Sequence, residues 1–127
     1  MSGDLTKADK KKVRQLAGIA WERELRNELR KIAAAIEEME NDSLSPFDVN
    51  DSIHKFHNGA SRDLYSQYSD SLPWWGVCRA YFDRVLTDDD LVDAGDEIQA
   101  GIREFAASFA RLDAETGSAD EDDRGDL

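Results

Sequence analysis

Two histidines three residues apart, His54 and His57, open the densest run of chemically versatile groups in the chain. Asn58, Ser61, Arg62, Tyr65 and Tyr68 follow at once. Imidazole titrates near neutral pH and binds metals, so this is where chemistry is first sought. On a helix, the i, i+3 spacing turns both rings toward one side, and Asp51-x-x-His54 adds a carboxylate at the same interval. Metal-binding helical bundles of the carboxylate type use Glu-x-x-His on two helices with further glutamates. The chain has no Glu-x-x-His and no second histidine-bearing helix, so no metal and no other cofactor is expected.

An anion fits these residues better. Arg62 falls in the first turn after a helix break at Gly59. An arginine and a histidine beside a helix N-terminus can hold a phosphate or carboxylate. The candidate ligand-binding set is His54, His57, Asn58, Ser61, Arg62 and Tyr65. Each member also has a structural role open to it. Val49, Ile53, Phe56 and Ala60 share one helical face at 100° per residue. His57 falls inside that arc as a core histidine and His54 lies on its rim. Ser61 can cap a helix, Arg62 can pair with an acid, and Leu64, Tyr65 and Tyr68 form the inner face of a short helix.

Other chemistry is sparse. Cys78 sits four residues after Trp74 and three before Tyr81, on the apolar side of a helix. It reads as a buried free thiol, since a nucleophile needs an activated thiolate with a base in reach. Trp75, if exposed beside Pro73, would anchor an interface. Asp88-Asp89-Asp90 lacks the order of a calcium loop and suits a helix cap. No glycine-rich phosphate loop, Walker lysine or Ser-His-Asp setting is recognisable.

The elements that must position these groups read as helices throughout, with no sustained alternating pattern. From Leu5 to Glu40 there is no proline, and Gly18 is the only glycine. Leu25, Leu29, Ile32, Ile36 and Met39 repeat at 4-3-4-3 spacing, and Val13, Leu16 and Ala20 are read as extending the stripe upstream. A second helix begins at Ser45-Pro46-Phe47-Asp48, with Ser45 capping. It ends at Gly59, for which a left-handed backbone is expected. A third helix runs from Ser61 to about Ser69, and a fourth begins at Pro73 and carries Trp74, Cys78, Tyr81 and Val85 on one side. The last starts after Thr87, with Leu91, Ile98, Ile102, Phe105, Phe109 and Leu112 at heptad-like spacing and a break near Asp93–Asp96. The expected fold is therefore all-α, four to five helices organised on one long N-terminal helix. Residues 1–112 form a single helical domain and residues 113–127 a disordered acidic tail.

Composition narrows the function. Apolar residues make up 40% and charged residues 35% of 127 positions, with one cysteine. No apolar run approaches the roughly 20 residues that span a bilayer. A soluble, cytoplasmic protein without signal peptide, membrane contact or disulfide is expected. Net charge is −12, of which seven acids against one base in residues 113–127 contribute −6. That balance argues against nucleic acid, which needs a positive face. The basic run Lys10-Lys11-Lys12-Val13-Arg14 is a solvated helix end or a seat for the acidic tail.

Length adds an inference. A helix of ~35 residues is about 50 Å long, whereas a compact body of this size has a diameter in the mid-30s of Å, roughly. The first helix therefore overhangs or kinks near Gly18. An overhanging apolar stripe needs cover, and a symmetric partner is the common cover. Two function classes follow. The first is a self-associating interaction or structural module, a homodimer through the long helix. The second is a protein binding a small anionic ligand, an enzyme among the options, at the His54–Arg62 helix corner.

Overall fold

The computed structural model describes the backbone of residues 5–125 and the side chains of residues 5–115. Five helices and one isolated helical turn follow one another: α1 (Lys7–Glu40), α2 (Pro46–Asn58), α3 (Ala60–Tyr68), α4 (Trp74–Phe82), the turn α5 (Asp88–Leu91) and α6 (Asp96–Gly125). No strand occurs among the described residues. The fold is all-α, organised on a long N-terminal helix. Asp113, Ala114 and Glu115 continue α6 and are exposed, and the side chains of the acidic segment beyond them lie outside the described residues.

Local sequence explains where the helices start. The Thr6 hydroxyl accepts from the Asp9 amide at 3.0 Å while the Asp9 carboxylate accepts from the Thr6 amide at 3.1 Å. Ser45 and Asp48 repeat this reciprocal capping at α2, and Asp90 accepts from the Thr87 amide at 2.7 Å to start α5. Such boxes satisfy amides that the first turn leaves without partners. α5 stops at Leu91 and α6 starts at Asp96, so the expected break is present. α1 has no break at Gly18.

One core joins the body. Val13 and Leu16 of α1, Val77 and Cys78 of α4, Leu86 and Leu91 around α5, and Ile98 and Ile102 of α6 are fully buried. Glycines let the helices approach. A Cβ at Gly101 of α6 would lie 3.1 Å from the Trp74 ring of α4. One at Gly76 of α4 would lie 2.4 Å from the Gln67 carbonyl of α3. Gly101, which weakens a helix on propensity, is therefore where α6 lies against α4.

α1 differs from its expected single stripe. Its buried residues are Val13, Leu16, Ala17 and Ala20. Leu25, Leu29, Ile32, Ile36 and Met39 are centred about 130° around the helix from these, at 100° per residue. The step of five from Ala20 to Leu25 changes the phase. The first half of α1 faces the body, while the second half turns a different apolar face toward α2, which returns alongside it after the Asn41–Ser45 turn. That face is covered only in part: Leu25, Ile32 and Met39 are half-buried, whereas Leu29 remains 48% and Ile36 42% exposed.

Candidate functional site

The helix corner at Gly59 joins α2 to α3. His54 and His57 are both exposed, so His57 is not the core histidine that the wheel suggested. Val49 is buried and Ser52 and Phe56 are half-buried, whereas Ile53 is 43% exposed. The covered side of α2 thus points between Val49, Ser52 and Phe56, and His57 lies about 100° from it. Gly59 is not left-handed either, with φ −110° and ψ −91°. Its missing side chain matters through space, since a Cβ would lie 2.9 Å from the Lys55 carbonyl.

α3 places the remaining candidates. Leu64 and Tyr68 are buried and Ser61 is half-buried, while Asn58 and Arg62 are exposed. Arg62 lies about 140° from the middle of the buried face. Ser61 does not cap, because α3 has no side-chain cap at its start. Tyr65 is 61% exposed and meets Trp21 edge-on, with ring centroids 5.9 Å apart. Tyr68 is the inner tyrosine: it stacks on Trp21 and donates to Glu24, and burial with that carboxylate raises its pKa. A hollow at this corner takes in Glu24, Glu28, Ala60, Asp63 and Leu64 but none of the six candidate residues. His54, His57, Asn58, Arg62 and Tyr65 are thus all exposed, Ser61 is half-buried, and no side-chain hydrogen bond among the described residues links any two of them. Among the described residues no group of three His, Cys, Asp or Glu side chains is placed to hold a metal.

Cys78 is buried, and burial pushes its thiol up to about 12. A thiol held protonated is not a nucleophile at neutral pH.

The more substantial surface is the outer side of the α1–α2 hairpin. On α1, Leu29 and Ile36 lie about 80° from the direction in which α2 packs, and on α2, Ile53 lies about 70° from the direction of α1. The two helices run antiparallel and are both right-handed, so these offsets fall on the same side of the hairpin. Leu29, Ile36 and Ile53 therefore form one open apolar face, with exposed Ala33 between the first two and His57 at its α2 margin. A shallow depression along α1, lined by Leu25, Arg26, Leu29, Arg30 and Ala33, lies beside it. The 4-3-4-3 spacing signals this face in the sequence, but the phase change that separates it from the body is easy to overlook.

Charge is uneven along the second half of α1: Glu22–Lys31 carries four bases, among them Arg26 paired with Glu22 and Arg23 turned to the body, against three acids, and Glu37–Asp42 carries four acids and no base. Elsewhere charges tie the body together. Arg23 of α1 grips Asp90 with two hydrogen bonds of 2.7 and 2.8 Å and donates to the Val85 carbonyl at 2.9 Å. The Arg23 hydrogen bonds, followed by those from Thr87, hold the Asp90 carboxyl down to about 2. Arg79 lies over Phe82 and Phe109 and reaches Asp83 and Asp113. Among the described residues no helix is long and apolar enough to cross a membrane. The chain matches no known family model, and no curated protein or solved structure matches it.

Proposed function

We propose that the protein is a self-associating helical module that pairs with a second copy through the outer face of the α1–α2 hairpin, acting as a cytoplasmic structural or interaction unit. The observation that carries this is Leu29 and Ile36, 48% and 42% exposed on one side of the half of α1 that the body does not cover. Ile53 widens the same face from α2.

Charge selects the orientation. Take two α1 helices crossing antiparallel about a point between Ile32 and Ala33. Leu29 of each copy then meets Ile36 of the other, and Arg26 approaches the acidic Glu37–Glu40 end. A parallel pairing would set like ends together. Ala33, a small side chain beside the crossing, permits close approach of the helices. Glu22–Glu40 is about 27 Å long, and two helices are roughly 20 Å wide, so each copy offers on the order of 500–600 Å² of face. That is near the low end of stable interfaces, and a micromolar dimer is expected.

Sedimentation across the micromolar range tests this. Wild type should shift from monomer to dimer, and Leu29→Glu with Ile36→Glu should stay monomeric with an unchanged helical spectrum, since both sites are exposed. Arg26→Glu and Glu40→Arg should each weaken the dimer, and combining them should restore it. A wild type that remains monomeric throughout the range refutes the proposal.

A further inference from the structure

A second surface, separate from the hairpin face, has the makings of a ligand site. Between the end of α4, the α4–α5 connection and α6 lies a hollow of about 630 Å³. Its floor is apolar, with Leu86 and Ala106 buried. Its rim is polar and cationic. Arg103 of α6 donates to Asp88 at 3.0 and 3.4 Å, and the Tyr81 hydroxyl donates to the same oxygen at 2.7 Å. Arg84 completes the rim. Two guanidinium groups and the single carboxylate of Asp88 line it.

Arg84 is also where a different residue would be expected. It follows α4 with φ 64°, and Val85 donates to the Ala80 carbonyl at 2.9 Å, closing the helix end. That left-handed position favours glycine strongly, and a long side chain there costs stability. Nothing in the closing hydrogen bonds needs the guanidinium, because they are made by the backbone. Arg84 instead lines the hollow together with Arg103.

We propose that this α4–α6 hollow binds a small organic carboxylate. The apolar body of the ligand would lie on Leu86 and Ala106, and its carboxylate would be held between Arg84 and the outer side of Arg103. The volume is in the range of small-molecule sites, and apolar walls with a few convergent polar groups are their usual makeup. Guanidinium groups suit a carboxylate because their fixed fork matches its two oxygens. Asp88 and Tyr81 orient Arg103 and partly neutralise it, so a singly charged ligand fits better than a phosphate.

The probe is 4-phenylbutanoate, with 4-phenylbutanamide as its uncharged counterpart, titrated into the full chain with the Leu86 and Ala106 methyl groups followed by NMR. The acid should give saturable shifts at both methyls in the millimolar range, and the amide should bind at least about tenfold more weakly. Arg84→Gly should bind the acid about tenfold more weakly while melting at the same or a higher temperature than wild type, which separates lost binding from lost folding. Arg84→Lys should retain most of the binding. Absence of saturable shifts, equal response to acid and amide, or undiminished binding by Arg84→Gly would each overturn the proposal.

Discussion

Replacing Asp90 with asparagine should destabilise the body by about 1 kcal/mol at neutral pH, and the loss should vanish in acid. The carboxyl is held down from 3.8 to about 2, chiefly by its paired hydrogen bonds with Arg23. At about 1.36 kcal/mol per pKa unit the shift alone corresponds to roughly 2.4 kcal/mol. The Arg23 side chain is 43% exposed, so water screens the pair and the smaller figure of about 1 kcal/mol is expected. Asparagine keeps an oxygen that can accept from the Thr87 amide. Alanine loses that cap as well, adding about 1 kcal/mol, so Asp90→Ala should cost about 2 kcal/mol and lower Tm by roughly 8 °C. The sign with pH follows from the depressed folded-state pKa. The contribution is complete above the unfolded value near 4 and is lost as pH falls from there through about 2. Urea denaturation of wild type and Asp90→Asn at equal protein concentration, at neutral pH and near pH 2, reads the difference while effects of other carboxylates cancel. Equal midpoints at neutral pH, or a gap that persists undiminished near pH 2, would show that the Arg23–Asp90 pair does not hold α5 against α1.

Gly76→Ala should cost about 3 kcal/mol or prevent folding, because its Cβ would lie 2.4 Å from the backbone oxygen of Gln67 and α3 must move away from α4 to admit it; a urea midpoint near wild type would contradict that packing. Cys78 should react with an aromatic disulfide reagent only as the protein opens, since its thiol is fully buried and its pKa is pushed up to about 12. Rapid stoichiometric labelling under native conditions would refute this.

The sequence made the helix ends legible because capping is local chemistry. Ser45 with Asp48, Thr87 with Asp90 and Thr6 with Asp9 each work within four residues of one another. The buried faces of α4 and α6 were legible in part: Cys78, Ile98, Ile102 and Phe109 carry their own periodicity, whereas Phe105 and Leu112 of the expected stripe are exposed and Val77 and Ala80, outside the expected side, are buried. His57 was misplaced because a wheel gives relative angles, not which angle is covered. Ile53 and Phe56 bracket a broad arc, and only the direction of α1 decides that Val49, Ser52 and Phe56 form its covered part. The Arg23–Asp90 grip and the Arg84–Arg103 rim were invisible for another reason. Arg23 and Asp90 meet across 67 positions, Arg84 and Arg103 line one hollow from different elements, and nothing local announces either.

The phase change in α1 bears on how the two proposed surfaces can coexist. Val13, Leu16, Ala17 and Ala20 point into the body, whereas Leu29 and Ile36 point about 160° away around the same helix. A single rigid helix therefore presents nearly opposite sides to the two packing problems. Removing the large apolar groups from the outer side should leave the body intact, since none of them contributes to its core. For a monomer, polar residues at Leu29 and Ile36 would serve as well or better, because exposed apolar groups promote association. Pairing through the hairpins then leaves the two bodies on the far sides of their α1 helices. The α4–α6 hollow belongs to the body and stays outside the interface, so carboxylate binding and dimer formation should be separable by mutation.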